Sequence, residues 1–459
     1  MRPRTTLAVC FALAALLATF PVAQAGAGSA FTFYGSGFGH GIGMSQWGAY
    51  GLALQGWNHE QILTHYYSGT TVGRDLSEPR SIRVGLAQGR SAMHVKARHG
   101  KLEVRVGDRK GQLVGTISGG ETWSFTGVSG RFRIEDGQGA QVGGQLWGGA
   151  HDDLVVFPRR GSRALVPETG HSYARGRLEL NQYACWGGSC DLRLIAVVPT
   201  EEYVYGISEV SSSWPMEALK AQAIAARTYA LHRVQVEGQH RGGCNCAVYA
   251  TTSDQVYTGW DKEHAYDGSR WVKAADRTSG DVIEYGGEPI EALYMASSGG
   301  YTENNENVWG GAPLPYLRGV CDPGDFVPEN PTRVWRVELS ADSVTGKLAP
   351  YTGNVGTVTG FGTTRRGVSG RIKTIVVLGT SGEHTITGTQ LKAGLGLYDD
   401  KVWVDADRNV TGEIRAFYDA HDCSPGLPKS EQVAVPGGVS QRFQNGTIEC
   451  DGSGVCSLS

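Results

Sequence analysis

Beyond residue 22 the chain has no long apolar run, no block of like charge and no periodic repeat. The first absence leaves no further candidate for a transmembrane helix, and the others exclude a charged interaction tail and a solenoid. An excess of cation is missing too. The 42 Lys+Arg stand against 45 Asp+Glu, a net charge of −3. A chain so near neutrality does not bind nucleic acid by neutralising phosphates. Charged residues make up only 19%, but 40% are apolar, which is the balance of a folded chain rather than a disordered one.

Glycine is plentiful, at 67 of 459 residues, and predicts many turns; the length suggests two or three domains. Residues 1–25 read as a cleaved signal peptide. Arg2 and Arg4 precede an apolar stretch from Leu7 to Val22, and Ala23-Gln24-Ala25 gives a small-x-small cleavage site. An uncleaved anchor is the alternative, disfavoured by the shortness of the run. Cleavage removes Cys10 and leaves eight cysteines, an even count that reads as disulfides in an exported protein. Cys185 and Cys190 form a candidate local clip, and Cys423 is expected to join Cys450 or Cys456.

Helical spacing of Trp57, Gln61, Ile62, His65 and Tyr66 follows a Gly-rich stretch. Residues 80–180 read as short strands, with alternation at Ile82/Val84/Leu86, Leu102/Val104/Val106, Phe132/Ile134 and Leu178/Leu180. Leu192 to Val198 is a buried-strand candidate. From Pro215 to His232 runs the one strong helix, whose stripe of Leu219, Ala223, Ala226 and Ala230 requires close burial. The expected fold is α+β, mostly short strands around that helix. The expected divisions are 26–72, a β-rich 73–180, a core at 181–400 and a separate tail at 401–459.

Two segments carry a family resemblance. One runs from Tyr203 through Glu209, Trp214-Pro215, Lys220, Gln222 and Arg227 to Tyr229. The other is Gly37-Phe-Gly39-His40-Gly41-Ile-Gly43-Met44-Ser45-Gln46, followed by His65-Tyr66-Tyr67. Ser297-Ser298-Gly299-Gly300, Val308-Trp309 and Leu395-Gly396-Leu397 add further landmarks. Together these resemble the SpoIID/LytB family, with its Gly-His-Gly segment placed at the start of the chain as though circularly permuted. The resemblance implies an exported lytic transglycosylase acting on peptidoglycan glycan strands, with Glu209 as acid and then base. It would act without a required cofactor. The alternative it implies is a non-enzymatic enhancer of a cell-wall amidase.

Glu201, Glu202 and Glu217 are the neighbouring carboxylates, read as alternatives or as structural charges. His40, Ser45, Gln46, Gln222, Ser297 and Ser298 are the candidate substrate-binding residues. For His40 the alternative is a packing role in a turn, and for Ser297 and Ser298 a plain turn. His40 is expected to lie near Glu209, with residues 31–72 packed on residues 200–300. His232, His240, Cys244 and Cys246 offer zinc-ligand types, but Cys-x-Cys in an exported chain favours a disulfide or free thiols. The tail from Val410 through Pro425-Gly-Leu-Pro428 to Ile448 resembles one degenerate LGFP repeat of wall-associated proteins. Its alternative is a disulfide-clipped stabilising tail.

Overall fold

Alternating apolar residues between Ser81 and Pro199 build one large, mostly antiparallel sheet, because a period of two puts every second side chain on the same face. The computed structural model describes residues 30–74, 79–149 and 152–459; the expected leader, with Cys10, lies outside them. The sheet has twelve strands among the described residues. Its central strand Ser189–Pro199 pairs with Ser81–Arg90 on one side and Arg177–Trp186 on the other. The boundary expected at residue 180 therefore falls inside a strand. Backbone hydrogen bonds make residues 81–199 continuous, so the β-rich region is not separate from the core that follows.

Six helices of the described residues cluster around the main core, with α3 and α5 against this sheet: α1 (Gln46–Leu54), α2 (His59–Tyr66), α3 (Thr200–Tyr205), α4 (Met216–Glu237), α5 (Trp260–Glu263) and α6 (Gly268–Arg277). Helix α4 is buried from Ala218 to Leu231, and its small-residue stripe packs against α1, α2 and α6. The architecture is α+β, with strands in several sheets around this helix.

The N-terminal segment is divided between two cores. Its helices α1 and α2 join the main core with α4, whereas Phe31 and Phe33 join a second core built mostly from residues 341–402. The strand Ala30–Gly35 lies between Trp335–Ser340 and Val402–Val404. Residues 401–459 are not a separate tail either. Their small core includes Cys321, which is bonded to Cys423, while Cys450 pairs with Cys456. The pairing expected for Cys423 is thereby corrected; the residue that packs beside it lies 102 positions away. Cys185–Cys190 forms the local clip expected of it.

Candidate active site

Glycine decides how the segment around His40 approaches the rest of the protein. Gly39, Gly41 and Gly43 all have positive φ. A Cβ on them would lie 2.4 Å from Met295 Cβ, 2.3 Å from Arg371 Nε and 2.0 Å from the Leu293 carbonyl oxygen. Only glycine permits both the conformation and the contact. The short strand Met44–Ser45 then pairs in parallel with Tyr294–Met295, and Phe38 bridges Ser297. This docking brings His40, Gln46 and Glu209 into one cavity of about 650 Å³, as expected for His40.

Glu209 sits in the irregular turn between α3 and α4, its carboxyl mostly withdrawn from water. Burial raises its pKa, opposed by hydrogen bonds from the Val256 amide, Tyr294 and Gln46 and by the charge of Lys262. The Val256 N–H donates to Oε1 at 2.6 Å and the Tyr294 hydroxyl at 3.4 Å. Tyr294 in turn accepts from Gln255 Nε2 at 2.8 Å. A carboxyl in this setting keeps its proton into a higher pH range and still finds donors once ionised.

The neighbouring carboxylates are otherwise engaged. Glu201 forms a two-point ion pair with the buried Arg227, and Glu202 lies 3.5 Å from Arg175. Against the upward push of burial, hydrogen bonds from Lys220 and His59 hold Glu217 down to about 2. Asp254 also lines the cavity, but its carboxylate pairs with Arg233 and Arg241 and accepts from Tyr229.

His40 has both ring nitrogens occupied. Nδ1 accepts from the Ile42 amide at 3.1 Å, so Nε2 carries the hydrogen donated to the Tyr294 carbonyl at 3.1 Å. Burial and the charge of Lys392 push its pKa down to about 4, keeping the ring neutral. His40 thus holds the backbone of the residue whose hydroxyl meets Glu209. One face of its ring approaches Trp309, 5.1 Å between centroids, and the half-exposed indole forms part of the cavity wall.

Several expected substrate contacts are corrected by burial. Ser45, Ser297 and Ser298 are 0% exposed and Gln222 only 1%. Ser45 and Ser297 donate to Asp325, and Ser298 donates to Asp322. The glycines after them admit protein rather than glycan: a Cβ on Gly300 would meet the Arg415 guanidinium at 2.2 Å. Gln222 lies behind Gln46 and accepts from its Nε2 at 3.3 Å, so of these two only Gln46 reaches the cavity.

The zinc candidates do not fit a metal. Cys244 is bonded to Cys246, which removes both thiolates. His232 donates to the Pro289 carbonyl, and His240 pairs with Asn245. Among the described residues the close group of ligand types is Cys321, Asp419 and Cys423, and it contains a disulfide as well.

Three residues near Glu209 escaped the sequence reading: Tyr294, Glu291 and Lys262. Tyr294 and Glu291 line the cavity. Lys262 is buried, donates to the Val210 carbonyl and lies 5.2 Å from the Trp271 ring. Burial lowers its pKa to about 8, opposed by the charge of Glu209. No spacing signal marks it, since it lies on α5, some fifty residues from the Glu209 turn. Lys262→Met removes a cation that favours the ionised carboxyl, so the pKa of Glu209 should rise further. We expect the ionisation of Glu209, followed by carboxyl NMR, to move to higher pH in this variant; an unmoved titration would show that Lys262 does not act on Glu209.

Comparison with known proteins covers the segment that holds this turn. The family model described as Stage II sporulation protein (SpoIID) matches residues 189–285, a stretch holding Glu209, Val256 and Lys262. Over this segment the chain is similar to the SpoIID/LytB family. A stage II sporulation protein D of Bacillus amyloliquefaciens is 36% identical over 137 residues, 28% of this chain and 40% of that protein. An amidase enhancer of Bacillus subtilis is 36% identical over 145 residues, 32% of this chain and 18% of the relative. An uncharacterised protein of Brachyspira hyodysenteriae is 38% identical over 155 residues, 33% of this chain and 39% of its own length. The chain therefore spans about two fifths or less of each relative it matches. Among the described residues no helix is long and apolar enough to cross a membrane.

Proposed function

We propose that this chain is an exported, cell-wall-associated lytic transglycosylase that cleaves the MurNAc–GlcNAc bond of peptidoglycan strands and leaves 1,6-anhydromuramic ends. The observation that carries the reading is the protonatable Glu209 in a cavity of about 650 Å³ walled partly by Phe38, Tyr294 and Trp309. Aromatic faces suit sugar rings, and the volume falls in the range of small-ligand sites.

The chemistry needs one carboxyl acting twice. Glu209 donates its proton to the glycosidic oxygen as the bond to C1 breaks. The resulting carboxylate is held by the Val256 amide, Tyr294, Gln46 and the Lys262 charge. It then removes the proton from the muramic 6-hydroxyl as that oxygen bonds to C1, which restores the acid. No water is consumed, unlike the hydrolases that use paired acids.

The resemblance to the amidase enhancer of Bacillus subtilis favours a second reading, in which the domain enhances an amidase without cleaving glycan. Mass spectrometry of glycan treated with purified protein separates the two. Anhydro ends formed by the protein alone are expected. Ordinary reducing ends would indicate water as nucleophile and turn attention to Glu291. Release of stem peptides only in the presence of an added amidase would establish the enhancer role. Wall retention through the LGFP-like tail belongs to the same proposal.

A further inference from the structure

A second cavity, of about 320 Å³, lies where the tail meets the second core and shares no lining residue with the Glu209 cleft. Arg366, Arg408 and Lys429 line it, and none of its lining residues is acidic. Two of these cations come from the end of the chain and one from the strand Val358–Arg366.

The arginines lack the partners that buried cations normally have. Arg366 donates to the carbonyls of Gly370 and Val402 at 2.6 and 2.8 Å and lies 4.9 Å over the Trp403 ring. Carbonyls and a ring face orient a guanidinium but leave its charge in place. Arg408 faces it, and its Nε is buried without a hydrogen-bond partner. Burial, then the charge of Arg408, lowers the pKa of Arg366 to about 10, against the opposing charge of Asp400, which lies outside the cavity lining.

The nearby acids are directed elsewhere. Asp400 lies 3.6 Å from Arg371. Asp405 accepts from the Thr32 amide, Asp407 from the Asn409 amide, and Glu431 from the Asp407 amide. Two adjacent guanidiniums in a concave, carboxylate-free site call for an anionic acceptor.

We propose that this cavity binds an oxyanion, a phosphate or carboxylate group borne by a wall polymer. That the polymer belongs to the wall rests on the reading above; the anion site itself does not. Leu427, Pro428 and Lys429 line the cavity together with Phe361 and Arg366, so a bound polymer would touch the tail and the second core at once.

Titration calorimetry of the full mature chain at low ionic strength tests this, with inorganic phosphate in one arm and N-acetylmuramic acid in the other. Saturable binding is expected in at least one arm, weakened by added salt. Preference for phosphate points to a phosphopolymer, and preference for the sugar acid to a glycan carboxylate. Arg408→Gln should weaken binding by about tenfold or more, the scale of one charge-assisted hydrogen bond. Glu209→Gln should bind like the parent, so failure of the catalytic reading would leave this result intact. If Arg408→Gln does not fold, Lys429→Gln, at an exposed position, takes its place with the same expectation. Absence of saturable binding to the folded parent in both arms, or undiminished binding in a folded variant, overturns the proposal.

Discussion

Glu209→Gln should lower the formation of 1,6-anhydro ends by about 10²–10⁴-fold, the usual worth of general acid–base assistance, while the protein stays folded. Gln can still accept from the Val256 amide, the closest contact of the native carboxyl at 2.6 Å. It cannot release a proton to the leaving sugar oxygen. Stability should move in the opposite direction from activity. Burial raises the pKa of Glu209, so the folded state holds the proton more tightly than the unfolded chain. Its contribution to stability therefore falls as pH rises from the unfolded carboxyl value through the folded one. Removing the ionisable group should leave the melting temperature at neutral pH equal to or above the parent's, with the gap closing below about pH 4.

Glu201→Gln behaves differently. It weakens a two-point ion pair to an arginine that is only 1% exposed, so its main effect should be a lower melting temperature. Glu202→Gln, at a half-exposed pair, should change little. Anhydro-end release measured beside thermal melts separates these outcomes. A folded Glu209→Gln protein working near the parent rate would remove Glu209 from the catalytic role.

The second large effect concerns the tail. The sequence suggested a separate tail at residues 401–459. The structure argues instead for a collapse of stability on its removal. Truncation removes Val402–Val404, a strand paired with Phe33–Gly35, and the Lys401 ammonium that donates to the Gly299 carbonyl at 2.7 Å. It also removes Arg415, whose guanidinium reaches the carbonyls of Gly300 and Asp322. Its positive charge opposes the rise that burial imposes on the pKa values of Asp322 and Asp325. These two acids hold Ser45, Ser297 and Ser298, the joint through which the His40 segment is fixed.

Even the single change Cys423→Ser opens a disulfide between positions 102 residues apart. In the chain-entropy model, closing a loop of about 100 residues contributes roughly 4.7 kcal/mol, and native bridges typically contribute about 2–4 kcal/mol. Cys456→Ser, which opens a bridge spanning 6 positions, should lower the melting temperature much less. Thermal melts with far-ultraviolet circular dichroism check both. A truncated protein that melts like the parent would restore the picture of a dispensable tail.

What the sequence by itself determined was local. Period-two alternation located strands such as Ser81–Arg90, and the proline-led, alanine-rich pattern located the start of α4, though the helix runs past His232 to Glu237. The spacing of Cys185 and Cys190 foretold their bond. Glu209 was singled out because its motif lies within one continuous stretch.

The rest was decided by contacts between distant parts of the chain. Ser45 meets Asp325 across 280 positions, His40 meets Tyr294 across 254, and Cys321 finds Cys423 rather than its partner being a nearer cysteine. Serines next to glycines read the same on paper whether they face sugar or a buried aspartate, since the difference lies in what packs over them. Lys262 reads as an ordinary surface charge until α5 brings it beside the Glu209 turn. A residue's type and spacing fix the local backbone and the functional groups available, but burial and partner choice fix their pKa values and reach. Those depend on packing that no window of sequence contains.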